Sequence, residues 1–370
     1  THLIQRIVEA NNKECALIGT LGYKLSSDGE YKEAKHTTPQ APELQHVLTV
    51  IRDEHNIDFV SMEVSSHALV QNRVGGCQYN CAVFTNLTQD HLDYHVTMDR
   101  YFDAKALLFK CLKSGDKAII NVDDKYAQRF IDTLADGVKL YTYGIKQDAD
   151  FKAENISFSP TGASFECITP DGKYDIKLSM NGMFSIYNVL AALTTAYAYG
   201  FDLNKSIKAL EQLKGVAGRF EIVVHHPLVI VDYAHTPDGL KNVLNAAREI
   251  TPKDANLICV FGCGGDRDAT KRPKMGAIAE ELADKVIVTS DNPRSEDPQQ
   301  IITDILAGFK SVNDVVVESD RGKAIEYIKD IAKENDVVVI DGKGHEDYQI
   351  LNDKTIHFDD REEARKVFSV

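Results

Sequence analysis

Two stretches in the first half of the sequence gather groups that could hold a cation and meet an anionic substrate. Met62-Glu63-Val64-Ser65-Ser66-His67 sets a carboxylate, two hydroxyls and an imidazole behind a short apolar run. Thr85-Asn86-Leu87-Thr88-Gln89-Asp90-His91-Leu92-Asp93-Tyr94-His95 adds two histidines and two aspartates. Glu63 and His91 could share a divalent cation, and a hard ion such as Mg²⁺ prefers oxygen ligands and bound phosphates. Any one of these histidines alone reads as a hydrogen-bonded structural residue. Two such clusters at neighbouring strand ends favour a site.

The second half carries four more such loops. Ser290-Asp291-Asn292-Pro293-Arg294-Ser295-Glu296-Asp297-Pro298 lies between an apolar run and an amphipathic helix, so Arg294 falls at the carboxyl end of a strand. Arginine there offers a planar fork of donors suited to a carboxylate. Asp232-Tyr233-Ala234-His235-Thr236-Pro237-Asp238, Gly262-Cys263-Gly264-Gly265-Asp266-Arg267-Asp268 and Asp341-Gly342-Lys343-Gly344-His345-Glu346-Asp347-Tyr348 also follow apolar runs. Each alone reads as a polar or tight turn. Together they are dense in Arg, Asp, Glu and His. Arg267, Arg294 and Glu346 would suit a zwitterion, arginines on carboxylates and a carboxylate on an ammonium.

The elements that must position these groups alternate along the chain. Runs at 15–19, 59–64, 82–86 and 117–122, with helical stretches between them, predict a mostly parallel sheet. Alternating runs at 163–168 and 174–178 around Pro170-Asp171-Gly172-Lys173 predict an antiparallel hairpin. Helices are expected near 185–199 and 204–213. Strands at 228–231, 257–261, 286–289, 315–317 and 337–340, separated by helices and closed by a helix at 360–368, predict a doubly wound α/β domain. The boundary is placed at Gly218-Arg219, giving domains 1–218 and 219–370. Lys105, on the helical stretch Tyr101–Phe109, reads as an ordinary surface lysine.

The chain of 370 residues has room for two domains or more. Forty-two basic against fifty-six acidic residues give a net charge of −14. That argues against nucleic acid or an anionic membrane as the main partner. No apolar run is long enough to insert in a membrane, and no secretory pattern opens the chain. The seven cysteines (15, 77, 81, 111, 167, 259, 263) lack paired metal spacing and read as mostly buried thiols of a reducing cytoplasm. The chain opens within a helix, which reads as entry in mid-domain.

These stretches, with His36-Thr37-Thr38-Pro39, Ala104-Lys105, Asn188 and Gly218-Arg219, run through the chain in an order that closely resembles the Mur ligases of the MurE type. The resemblance implies a central P-loop-type ATP-binding domain, truncated here, and a C-terminal Rossmann-like domain that takes the amino acid. It implies Mg²⁺, ATP as co-substrate, and amide ligation of meso-diaminopimelate to UDP-MurNAc-L-Ala-D-Glu through an acyl phosphate, by a cytoplasmic enzyme acting as a monomer. By the same resemblance Thr37, Thr38, Ser65, Gln71 and Arg73 hold the UDP-muramoyl-dipeptide. Glu63 and His91 are metal ligands, and Lys105 is carbamylated to bind metal. Asn188, Arg219, Asp232 and His235 lie near the nucleotide. Arg267, Asp291, Asn292, Pro293, Arg294, Gly342 and Glu346 form the diaminopimelate pocket. Relatives that add lysine usually lack an arginine at the position of Arg294. The family's Gly-rich phosphate loop would end just before Thr1, so the chain as given is expected to be an incomplete, inactive part of the enzyme. The rivals are a folylpolyglutamate synthetase-like ligase, against which Asp291–Arg294 and Gly342–Glu346 argue, and a non-catalytic binding module.

Overall fold

Each apolar run read as a strand forms one, and the runs are distributed over separate sheets. The structure, a computed structural model, describes residues 1–159 and 161–368. Strand Cys15–Gly19 pairs in parallel with Phe59–Met62 and antiparallel with Gly22–Lys24. Cys81–Phe84 and Lys117–Asn121 instead begin a six-stranded sheet that continues through Lys139–Gly144, Phe151–Ser159, Gly162–Thr169 and Gly172–Leu178. The single mostly parallel sheet expected over the first 145 residues is therefore two sheets. Phe59–Met62 is the edge of one and Cys81–Phe84 the edge of the other, so no ladder joins the runs. Apolar periodicity finds strands but cannot say which of them pair.

The six-stranded sheet is parallel over its first four strands and antiparallel at the hairpin 162–178. Helix Met183–Ala198 is largely apolar and packs onto it, meeting Ile119, Tyr143 and Phe151. Phe84, Phe102, Phe109 and Phe130 fill the opposite face.

The second region forms another six-stranded sheet, in the order Glu221–His225, Leu228–Asp232, Val337–Asp341, Leu257–Phe261, Lys285–Val288, Val315–Val317. All but the first strand run parallel. Its central strands are buried on both faces, as their continuous runs of Val, Ile and Leu require. Helices Pro237–Ile250, Arg272–Leu282 and Pro298–Leu306 pack on one face, and Arg321–Ile331 and Asp360–Phe368 on the other. The carboxyl ends of Leu228–Asp232, Val337–Asp341, Leu257–Phe261 and Lys285–Val288 thus lie side by side, where open α/β sheets bind ligands. Caps set how the chain leaves them. Thr236 Oγ1 accepts from Gly239 N at 3.1 Å, and Asp297 Oδ1 from Gln299 N at 3.0 Å, each with proline next in the helix.

A buried ion pair ties this edge to the helices behind it. Arg321 and Asp360 are fully buried and meet bidentately, Nε–Oδ1 and Nη2–Oδ2 both at 2.7 Å. The same guanidinium donates to Ser290 O at 3.3 Å and Asp341 O at 3.0 Å, fixing the exits of two strands. Asp360→Ala leaves a buried guanidinium without its counter-ion and is expected to cost about 3–5 kcal/mol of stability. Urea unfolding checks this, and a loss under about 1 kcal/mol would contradict it.

Candidate active site

A cavity of about 1620 Å³ lies between the sheets. It is lined by Thr37, Glu63, Ser65, His91 and Lys105 from the first half, by Asn188 on helix Met183–Ala198, and by Arg219, Asp232 and His235 beyond the boundary. The edge strands Phe59–Met62 and Cys81–Phe84 both face it.

Glu63 follows the end of its strand. Its Oε2 accepts from Thr20 Oγ1 at 2.7 Å and Thr20 N at 3.3 Å, and Thr20 Oγ1 lies 3.3 Å from Thr37 Oγ1. His91 takes a left-handed φ of 55°, its N–H donating to Asp90 Oδ1 at 2.8 Å and its Nε2 3.4 Å from Asp90 Oδ2. No group of three or more His, Cys, Asp or Glu is placed to hold a metal among the described residues. A Mg²⁺ held by one carboxylate and one imidazole would have to take its remaining ligands from phosphates and water.

Lys105 is half-buried, its Nζ 5.3 Å from the Tyr101 ring centroid and without an ion-pair partner among the described residues. Burial pushes its pKa down, against the opposing pull of Asp90. The lysine read as a surface residue therefore points into the cavity. Its signal in the sequence is faint: a charge on a helix whose neighbours Tyr101, Phe102, Ala104, Ala106 and Phe109 are all buried.

Thr38, Gln71 and Arg73 sit beside the cavity lining. Thr38 is fully buried, its hydroxyl donating to Glu63 O at 2.9 Å and accepting from Ser65 N at 3.0 Å. Arg73 donates to Thr38 O at 3.2 Å and to Gln71 Oε1 at 2.9 Å. Thr38 thus orients Glu63 and Ser65, while Gln71 is exposed and Arg73 half-exposed.

Across the boundary, Asp232 is buried and uses both oxygens on backbone, accepting from Phe220 N at 2.6 Å and Ala234 N at 2.8 Å. Burial raises its pKa, and these N–H groups oppose the rise. His235 is held by Nδ1 against Tyr233 O at 3.0 Å, and its pKa is lowered by burial and by Lys271. Arg219 lies over the Tyr233 ring at 4.4 Å. The segment bearing it can approach because Gly218 and Gly344 lack side chains. A Cβ on Gly218 would lie 2.1 Å from His345 N, and one on Gly344 2.6 Å from Tyr233 Cβ.

Tyr233 leads from the cavity to a second group of polar residues. Its phenol is pushed up to about 12 by burial, with Glu346 and Asp291 adding to the rise. Asn292 Nδ2 donates to Glu346 Oε2 at 2.9 Å, and Asn292 Oδ1 accepts from Ile350 N at 2.9 Å. Asp291 and Asn292 are buried, and Asp291 Oδ1 has no hydrogen-bond donor among the described residues. Pro293 is buried against Gly265, where an added Cβ would lie 1.9 Å from Pro293 O. Gly342, at φ 119°, lets the chain turn beside Asp291. Arg294, at a left-handed φ of 53°, is pinned by its backbone to the hairpin Tyr348–Leu351/Lys354–His357 through Ile350 O and Asn352 N. Its Nη1 donates to Gly265 O at 2.8 Å, and no carboxylate pairs with it among the described residues. Its Nε and Nη2 make no hydrogen bond among the described residues, while Nη1 also donates to Asn292 O at 3.4 Å. Arg267 is exposed at the rim and donates to Asp266 O at 2.9 Å. Sequence reasoning missed Thr20, Tyr233 and Lys343. The fully buried Lys343 sits among Asp291, Asn292 and Glu346, and its flanking glycines disguise it as part of a turn.

The Mur ligase middle domain matches residues 1–196, and the Mur ligase glutamate ligase domain residues 218–344. The chain is 49% identical over 368 residues to a Synechococcus elongatus protein named UDP-N-acetylmuramoyl-L-alanyl-D-glutamate–2,6-diaminopimelate ligase, covering 99% of this chain and 73% of that one. A protein of the same name from Halalkalibacterium halodurans is 47% identical, with 98% of this chain and 74% of that one covered. A solved structure of a ligase of that name superposes with a TM-score of 0.68 at 37% identity, covering all of this chain and 75% of that one. The chain spans about three-quarters of these relatives' length. With both domain types matched and the identity carried through nearly every residue, the chain belongs to the Mur ligase family, among its UDP-N-acetylmuramoyl-L-alanyl-D-glutamate–2,6-diaminopimelate ligases.

Proposed function

We propose that the protein carrying this chain is an ATP-dependent amide ligase that joins meso-diaminopimelate to the D-glutamate γ-carboxylate of UDP-MurNAc-L-Ala-D-Glu in peptidoglycan precursor synthesis. The observation that carries this reading is the cavity holding Glu63, His91, Lys105, Asn188, Arg219 and His235, whose lining residue Tyr233 packs on His345, the neighbour of Glu346 in the strand-end loop. One part handles nucleotides (residues 1–218) and the other the amino acid (219–370).

A γ-carboxylate oxygen attacks the γ-phosphorus of ATP and ADP leaves, giving an acyl phosphate. The neutral amine of diaminopimelate attacks the acyl carbon. The tetrahedral intermediate collapses by breaking the C–O bond to phosphorus, so phosphate departs and the amine sheds its proton. Glu63, His91 and Lys105 as its carbamate would hold Mg²⁺, which when bound neutralises charge on the transferring oxygens. The carbamate forms when the free amine of Lys105 adds to CO₂ and releases a proton. Burial of this lysine, which favours the free amine, supports the modification. Thr37, Ser65, Gln71 and Arg73 bind the muramoyl-dipeptide, with Thr38 holding Ser65 and Glu63 in place. Asn188, Arg219 and His235 line the nucleotide side, and Asp232 fixes the segment that bears Arg219. Arg294 and Arg267 receive the carboxylates of diaminopimelate, and Asp291 and Glu346, with Asn292 orienting Glu346 and the turn permitted by Gly342, receive an ammonium.

Labelling the γ-carboxylate with ¹⁸O tests the acyl phosphate in the full-length gene product. One labelled oxygen is expected in the released phosphate and one in the amide. Phosphate free of label would overturn this route.

A further inference from the structure

The polar group around Asp291, Asn292 and Glu346 contains a charge that the ligand contacts proposed above do not use. Lys343 is fully buried on the loop Gly342–His345. Its Nζ lies 3.2 Å from Asn292 Oδ1, 3.4 Å from Glu346 Oε2 and 3.6 Å from Asp291 Oδ1, with the Tyr348 ring centroid at 5.6 Å. An ammonium is rarely buried unless paired. Here it meets groups from two strand-end loops, and among the described residues it is the ion-pair partner of an Asp291 oxygen that has no hydrogen-bond donor.

We propose that Lys343 is a positioning residue for the amino-acid substrate: its ammonium holds Asp291, Asn292 and Glu346 in one arrangement and leaves this subsite with a single net negative charge for the substrate's ammonium. The proposal rests on the reading of this pocket as the diaminopimelate site. Within ion-pair distance of Lys343 Nζ, two carboxylates against one ammonium leave one negative charge in excess. Without Lys343, two carboxylates in a poorly hydrated site repel each other, and one of them takes up a proton. The local balance agrees. Burial and Asp291 raise the pKa of Glu346, while Lys343 and Asn292 pull it down and help keep the carboxylate charged. Asn292 is also oriented by this contact. With Oδ1 taken by Lys343 and Ile350 N, its amide nitrogen must face Glu346.

The test uses the full-length gene product and steady-state kinetics of ADP release. Wild type is assayed first with meso-diaminopimelate and with L-lysine, and the variants with whichever is accepted. Lys343→Met is expected to raise the KM for that amino acid roughly 10- to 100-fold, the size of a lost charged hydrogen bond. The KM values for ATP and UDP-MurNAc-L-Ala-D-Glu stay within about 2-fold, because Thr37, Ser65, Gln71 and Arg73 lie outside the sheet that bears the Lys343 loop and Asn188, Arg219 and His235 make no hydrogen bond or ion pair with Lys343 among the described residues. Glu346→Gln combined with Lys343→Met is expected to be non-additive, since one residue acts through the other. A merely structural lysine would instead shift all three KM values together or add independently to Glu346→Gln, and either result overturns the proposal. Lys343→Gln keeps a donor toward Asn292 without charge, and wild-type kinetics in it would also overturn it. If neither variant folds, Lys343 is a folding residue and the proposal fails. Wild type with no amino-acid dependence would overturn the pocket reading and the role of Lys343 together. Acceptance of lysine would sink only the assignment of diaminopimelate.

Discussion

Lys105→Ala in the full-length gene product is expected to lower turnover by about 10²-fold or more, the scale on which removing one charge-stabilising group acts in phosphoryl and acyl transfer. The loss should fall on kcat, with the KM for the amino acid little changed, because Lys105 lines the cavity while Arg294 and Glu346 are held by other loops. The structure supplies the physical motive. The lysine is half-buried, its pKa is lowered by burial, and it has no ion-pair partner among the described residues. A lysine kept as an ammonium would gain from a carboxylate beside it, whereas one held for carbamylation needs a neutral nitrogen open to CO₂. Added formate or acetate should restore part of the rate in Lys105→Ala by placing a carboxylate in the vacated space. Near-normal turnover in the variant without added carboxylate would remove the carbamate from the mechanism.

Arg294→Gln is expected to reduce the preference for meso-diaminopimelate over L-lysine, as a ratio of kcat/KM values, by about 10²-fold, the worth of a charge-assisted hydrogen bond in a partly dry site. Diaminopimelate carries a distal carboxylate that lysine lacks. A half-buried guanidinium whose side-chain bonds go only to backbone carbonyls is satisfied by that carboxylate and left short by lysine. The backbone of Arg294 is fixed on both sides by the hairpin 348–357, so the fork is aimed before the substrate arrives. Most of the change should appear as a higher KM for diaminopimelate. An unaltered preference would move the selective contact elsewhere, with Arg267 at the rim the next residue to test.

The strand-end loops were legible because their signal is local. Apolar runs end at Asp232, Phe261, Val288 and Asp341, polar loops follow, and Thr236-Pro237 and Asp297-Pro298 announce the next helices. The pairing of strands was not legible in the first half, because runs 59–64 and 82–86 look alike while their ladders belong to different sheets. The hairpin Tyr348–His357 gave no warning either. Its second strand is exposed throughout and carries no apolar alternation, yet its first strand and turn pin Arg294 through Ile350 O and Asn352 N. Lys105 and Lys343 illustrate a further limit. A lysine in sequence reads as a solvated charge, and only the packing of Tyr101 beside one and of Asp291, Asn292 and Glu346 around the other reveals burial. The family resemblance supplied Lys105 without the physics, and it gave Lys343 no role.

ADP release by the full-length gene product, with ATP and UDP-MurNAc-L-Ala-D-Glu and with meso-diaminopimelate or L-lysine offered separately, is the most direct measurement. Release that depends on diaminopimelate, with little or none on lysine, is the expected result and would tie the cavity and the Arg294 pocket to one reaction. Turnover with lysine in its place would keep the ligase and contradict the role given to Arg294. Turnover with neither would contradict the proposed ligation itself.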